Sequence, residues 1–405
     1  MTQAQPSGGV LSALERNTVL LFLTQGLFMT SVNINIIVSG LAGLAIAPEP
    51  WLATLPISGG FIASMLTTMP ASLLMGKYGR KPVFMAGAVL LFLGMMVQMQ
   101  MLLAGNFTGY MAGALMIGGA HGIAQFYRYA AADALPEERK SVAVSLVLAG
   151  GLIAAFAGAT IVKMSLGWFG GSIYASCFLA AGVLQLPTLL LLAGLKIPPV
   201  EKTEQVKRSL SRFLRMPRYL SGLTAAALGY AVMSFLMTAA PLQIVSVSKL
   251  SDAANATVIQ WHVFAMFIPS FFTGFLIRRV GEFGMILSGL LLYVAAVVVL
   301  LQGFSFWHYF TVLMLVGFGW NALFVTGSAI VASVASPEER AKVQGFSDFM
   351  VTMAISASAL SAGALHYLIG WRMMGWAALL PVGIIAIVTL ASRRQRISAG
   401  HDHAS

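Results

Sequence analysis

Apolar runs of about twenty residues, each closed by a short polar loop, follow one another along the whole chain. Twelve such spans are predicted, over 17–41, 51–75, 83–104, 108–131, 142–162, 172–195, 219–242, 257–277, 285–303, 309–334, 343–368 and 373–392. At 1.5 Å rise per residue each is long enough to cross the ~30 Å hydrocarbon core of a bilayer. Within that core backbone groups must be satisfied inside the segment, so each span is predicted to be helical. The stretch Met1 to Arg16 is short and polar, and no small-residue cleavage site precedes the first run, which reads as a retained span.

The longest polar connection, residues 196–218, contains Lys-Ile-Pro-Pro-Val-Glu-Lys from Lys196 and a second basic run after it. It divides the chain into an N-terminal bundle of six spans (1–195) and a C-terminal bundle with its tail (219–405). Landmarks recur in order across the divide. Pro136-Glu137-Glu138-Arg139 matches Pro337-Glu338-Glu339-Arg340, Gly167-Trp168 matches Gly370-Trp371, and the stretch from Ser72 to Arg80 matches that from Gly274 to Glu282. The offsets are 201 to 203 residues, which duplication explains and chance does not. The expected fold is an all-α membrane protein of twelve transmembrane helices in two pseudo-symmetric six-helix bundles. Parallel repeats of this kind place a substrate near the midplane between the bundles.

Charge agrees with this reading. Only 9% of residues are charged, against about 25% in soluble domains. The net charge of +11 would suit a nucleic acid, yet 20 of the 24 Lys and Arg fall in loops on one side of the predicted map. The positive-inside rule makes that side cytoplasmic, with both termini in the cytoplasm and residues 45–51 outside. The chain is thus expected in a bacterial inner membrane, multi-pass and monomeric, with the lipid bilayer and a small molecule as partners and no nucleic acid. The single Cys177 excludes an internal disulfide or a cysteine-based metal site. His401 and His403 form a tail motif read as a tail rather than a metal site. No His-Glu-x-x-His, Gly-x-Ser-x-Gly, phosphate-binding loop or intramembrane carboxylate pair is present, so no catalytic residue, cofactor or metal is expected. A carrier and a multispan scaffold or sensor remain, and the six-plus-six repeat favours the carrier.

These residues resemble the major facilitator superfamily over essentially the whole length. The family's loop 2–3 signature reads Gly, three residues, Asp-Arg, one residue, Gly-Arg-Lys. Gly79, Arg80 and Lys81 match it, with Lys77 adding a basic residue, while Ser72 and Gly76 stand at the family's Gly and Asp. In span 4, Gly118 replaces the family's Arg and His121-Gly122 its Gln-Gly, so an Arg-dependent proton relay does not carry over. Gln125-Phe126-Tyr127-Arg128, Gln260-Trp261-His262, Gly319-Trp320-Asn321 and the run from Lys342 to Phe349 look like a bacterial subgroup that includes riboflavin importers. Span 5 holds Gly150, Gly151 and Gly158 but not the family's Gly-Pro core, which leans the reading toward import. Multidrug-type efflux of amphipathic compounds is the alternative.

Polar side chains inside spans are costly and invite a functional reading. Phe28 and Asn33 in span 1, His121 and Gln125 in span 4, Tyr230 in span 7, and Trp320 and Asn321 in span 10 are the candidate substrate contacts. Each polar one among them has an equal reading as helix-to-helix hydrogen bonding. Aromatic faces with neutral amide and imidazole groups suit a flat ligand bearing several hydrogen-bonding edges. Arg128 and Asp348 lie roughly 7–9 Å inside the cytoplasmic ends of spans 4 and 11 and are the candidate gating residues. No acid stands at mid-depth, so facilitated diffusion or an unusual coupling is expected.

Overall fold

The computed structural model describes residues 8–133, 146–147, 149–197, 210–335 and 337–402. The Pro136-to-Arg139 landmark, Lys140, residues 198–209 of the expected connection and His403 lie outside the described residues, as do the side chains of Asp133, Arg340, Lys342, Arg394, Arg396 and His401.

Among the described residues fourteen α-helices follow in order: α1 Gly8–Ile46, α2 Leu55–Tyr78, α3 Arg80–Leu103, α4 Phe107–Ala124, α5 Tyr127–Asp133, α6 Gly151–Ser165, α7 Ala175–Val183, α8 Gln185–Ala193, α9 Ser211–Leu214, α10 Pro217–Pro241, α11 Asp252–Phe267, α12 Ser270–Gln302, α13 Phe306–Val334 and α14 Pro337–Asp402. Eight helical stretches among the described residues are long and apolar enough to cross a membrane. Two compact units emerge, one of residues 1–46 and 59–202, the other of 47–58 and 203–405. The short segment 47–58, which the hydrophobic pattern assigns to the first bundle, belongs to the second unit, where Thr54 lies against Gly363.

Several helices are interrupted where the pattern predicts loops or single spans. Gly79 (φ 86°, ψ 164°) separates α2 from α3, and Gly281 (φ 77°, ψ 165°) breaks α12 at the matched position. Gly370 (φ 73°, ψ 172°) breaks α14, and its mate Gly167 has φ 75°. Positive φ with ψ near 165° is accessible essentially to glycine alone, so these landmarks are backbone requirements rather than side-chain choices.

The first unit is knit by small residues and buried polar pairs. Ser31 Oγ donates to the Ala181 carbonyl at 2.7 Å and accepts from Gln185 Nε2 at 2.7 Å. Ser39 Oγ and Tyr110 Oη lie 3.0 Å apart. In the second unit Tyr293 Oη donates to the Gly229 carbonyl at 2.6 Å, and Ser221 Oγ meets Thr389 Oγ1 at 3.1 Å. These ties are neutral, as expected where helices associate through close packing and hydrogen bonds.

Candidate functional site

In the first unit the candidate residues gather on α1, α2 and α4. Gly118 and Gly122 flank His121 by three residues and one, and both press on α2. A Cβ at Gly118 would overlap the Gly60 carbonyl, and one at Gly122 would come within 2.5 Å of the Ser64 carbonyl. This close approach carries His121 to Ser64, whose Oγ lies 3.1 Å from the imidazole Nδ1. Gln125, one turn on, lies 3.3 Å from Nε2 through its amide nitrogen. An amide N–H donating to Nε2 leaves the ring proton on Nδ1, where it donates to Ser64, so a neutral imidazole meets both partners. The Phe28 ring stacks on the imidazole at 6.2 Å with planes 19° apart. Tyr127 meets Phe28 edge-on at 5.9 Å and Phe84 at 4.8 Å. Phe28 and Tyr127 are fully buried, while His121, Gln125 and Phe126 keep partial exposure. Phe28 therefore backs the site, and His121 and Gln125 form its accessible surface. Tyr127 Oη is buried without a partner among the described residues.

The helix is interrupted after His121, at Gln125–Phe126, and the loop 2–3 residues support that break. Arg80 Nη1 donates to the Phe126 carbonyl at 3.4 Å. Lys81 Nζ reaches the Ala193 and Leu195 carbonyls at 2.5 and 3.3 Å, at the end of α8 where a cation opposes the negative pole of the helix. Arg16 and Asn17 bind the neighbouring Gly194 and Lys196 carbonyls. Lys77 lies over the Tyr78 ring at 5.0 Å. Arg128 donates to Tyr129 Oη at 3.1 Å and lies over that ring at 4.8 Å. Asn33 stands apart from His121: it donates to the Ala154 carbonyl at 2.9 Å and packs on Gly158, joining α1 to α6.

In the second unit Tyr230, Trp320 and Phe324 form one aromatic cluster. Trp320 stacks on Phe324 at 5.0 Å, planes 12° apart, and Tyr230 meets both edge-on at 5.2 and 5.4 Å. Phe267 closes the far side of Trp320 at 6.0 Å. Trp320 Nε1 is buried without a partner among the described residues. Tyr230 and Phe324 keep partial exposure. Asn321, adjacent in sequence, turns away from the cluster. Its Nδ2 donates to the Met266 carbonyl (2.7 Å) and Ser270 Oγ (2.6 Å), and its Oδ1 accepts from Thr273 Oγ1 (2.6 Å). Those partners straddle the break between α11 and α12 at Pro269, which has no N–H to continue the helix. Asp348 is exposed on α14, where its carbonyl accepts from Thr352 Oγ1 at 2.8 Å.

Three relationships were not readable from sequence. Ser64 is one serine among many in apolar runs, and only the glycine approach selects it. Arg218 and Glu282 form a two-bond ion pair at 2.5 and 3.2 Å. Glu282 is the repeat mate of Arg80, so the charge at that position is reversed between the halves. Gln243, His366 and Tyr309 share a polar chain that no motif marks. Among the described residues no group of three or more His, Cys, Asp or Glu side chains could hold a metal ion.

The profile of the Major Facilitator Superfamily matches residues 7–302 and 225–402. The chain is 35% identical over 386 residues to the riboflavin transporter RfnT of Brucella anthropi, covering 94% of this chain and 96% of that protein. It is 28% identical over 258 residues to YddS of Bacillus subtilis, an MFS-type transporter, covering 58% of each. The solved structure of the nucleoside transporter NupG superposes with a TM-score of 0.73 at 13% identity, covering 93% of this chain and 99% of that one. FucP in its outward conformation gives 0.64 at 16% identity, covering 93% and 97%. At those identities the likeness speaks for the fold, and with the profile and the near-full-length relative it places this multi-pass inner-membrane protein: the chain belongs to the major facilitator superfamily.

Proposed function

We propose that this chain is a twelve-pass secondary carrier that takes up riboflavin. The observation that carries the substrate is the 35% identity to a riboflavin transporter over 94% of this chain and 96% of that one. The clusters add chemical sense. Each offers aromatic faces for a flat ring, and the first adds neutral hydrogen-bonding groups suited to the carbonyl and nitrogen edges of such a ring. His121, Gln125, Tyr230 and Trp320 are proposed as the contacts, with Phe28 behind them and Asn33 and Asn321 bracing the helices that present them.

The count of twelve is supported by length. Residues 343–393 run for 51 residues, roughly 75 Å of helix, far more than one ~30 Å crossing, and turn at Gly370. Two six-pass bundles separated near residues 196–218, cytoplasmic termini and a monomeric carrier complete the proposal, with Arg128 and Asp348 as gating residues. Expression in a riboflavin auxotroph lacking its own uptake tests the function. Growth on micromolar-range riboflavin supports it. No growth, together with lowered accumulation of amphipathic dyes, would favour efflux instead.

A further inference from the structure

A cleft of about 300 Å³ opens in the second unit where α10 passes into the π-helical turn Leu242–Val247. Gln243, Val247, Phe304, His366, Trp371 and Arg372 line it, together with the Gly370 turn. That turn is the reason one cleft collects residues from both sides of the break in α14: His366 precedes it and Arg372 follows it. The floor is polar and internally satisfied. His366 Nε2 lies 3.0 Å from Gln243 Oε1, and Gln243 Nε2 donates to Tyr309 Oη at 3.0 Å and Ser248 Oγ at 3.2 Å. With an acceptor at Gln243 Oε1, the His366 proton lies on Nε2 and is already used.

The rim differs. The Arg372 guanidinium lies over the Phe304 ring at 4.9 Å and has no ion pair or hydrogen bond among the described residues. No lining residue is acidic, so the cleft carries one uncompensated positive charge. Beside it Trp371 Nε1 is buried and unpartnered among the described residues. Val247 and Ile369, on the same cleft, are exposed apolar side chains, so the opening has an apolar rim.

We propose that this cleft binds a phosphate ester, with the Arg372 fork on two phosphate oxygens and Phe304 holding the guanidinium plane. A planar guanidinium pairs with phosphate through two parallel bonds and stacks on aromatic faces, and Arg372 is already stacked. A phospholipid headgroup and a soluble phosphate both present this chemistry, and the apolar rim favours the lipid.

Native mass spectrometry of the purified full chain tests it, with phosphatidylglycerol, phosphate-free diacylglycerol and inorganic phosphate as probes. Wild type should retain one phosphatidylglycerol more than Arg372→Gln, and Arg372→Lys, which keeps charge but not the fork, should bind at least about threefold more weakly. Diacylglycerol retention should not distinguish the three. Displacement by inorganic phosphate would assign the site to a soluble phosphate; resistance to it assigns the lipid. Phe304→Leu supplies a second reading if Arg372→Gln does not fold, and it should also weaken phosphatidylglycerol retention. Equal retention of phosphatidylglycerol and equal phosphate binding in wild type and every folded variant would overturn the proposal.

Discussion

The imidazole of His121 lies nearly parallel to the ring of Phe28, 6.2 Å between centroids, and is held at both nitrogens by Ser64 and Gln125. A side chain fixed on three sides presents one orientation to a ligand, and that preorganisation lowers the cost of binding. His121→Ala should therefore raise the apparent KM for uptake far more than it lowers the amount of protein in the membrane. Ser64→Ala removes one hydrogen bond worth about 0.5–1.5 kcal/mol, so its KM should rise by no more than roughly tenfold. Uptake kinetics paired with quantitative immunoblots of membranes check both.

Gly118 stands where the resembled family carries an arginine, and the backbone explains the difference. A Cβ there would run into the Gly60 carbonyl of α2. Gly118→Arg should abolish stable protein rather than install a proton relay. Gly118→Ala should also fail or melt much lower, while Gly76→Ala, which has open space around it, should leave the melting temperature within a few degrees. Fluorescence-detected size exclusion with a temperature ramp separates these outcomes.

The turn glycines make a paired prediction. Gly79 and Gly281 share positive φ and open surroundings, so alanine at either meets backbone strain and no steric clash. Each substitution should cost about 1–3 kcal/mol and by similar amounts, because the matched turns pose one conformational problem twice. Comparable drops in melting temperature for Gly79→Ala and Gly281→Ala are expected; a drop in neither would show that these turns tolerate a side chain.

Trp320 and Asn321 are neighbours in sequence with opposite duties. Asn321 braces the Pro269 break with three hydrogen bonds, and removing it leaves buried groups unpaired at about 1–3 kcal/mol each. Asn321→Ala should destabilise the protein, and the fraction that folds should bind substrate with near wild-type affinity. Trp320→Ala should weaken substrate binding more than it lowers melting temperature. Tryptophan-quenching titrations with riboflavin, alongside melting curves, distinguish the two.

Most of the architecture could be read from the apolar runs, because lipid leaves the backbone few alternatives to helix. The repeat was legible for a different reason: Gly79, Gly281, Gly167 and Gly370 answer a backbone demand that no other residue meets. The breaks within spans were less visible. Pro269 marks one and Pro187, which has no N–H to bond the Val183 carbonyl four residues back, marks the division of span 6 at Leu184, while the pause at Gln125–Phe126 has no proline and is a matter of local packing. Polar residues inside spans were the hardest to sort. An asparagine in an apolar run is equally a ligand contact or a helix tie, and only the partners of Asn33 and Asn321 show that their amides point at backbone carbonyls of neighbouring helices. The grouping of segment 47–58 with the second unit has no signal in the apolar pattern for a related reason, since periodicity records that a span exists and not which neighbours it meets.

Uptake of labelled riboflavin into proteoliposomes containing only the purified chain tests the central claim most directly. The account predicts saturable entry above protein-free vesicles, competition by unlabelled riboflavin, and a marked loss of entry with His121→Ala. Entry no faster than into protein-free vesicles, from protein shown to be folded and inserted, would contradict it.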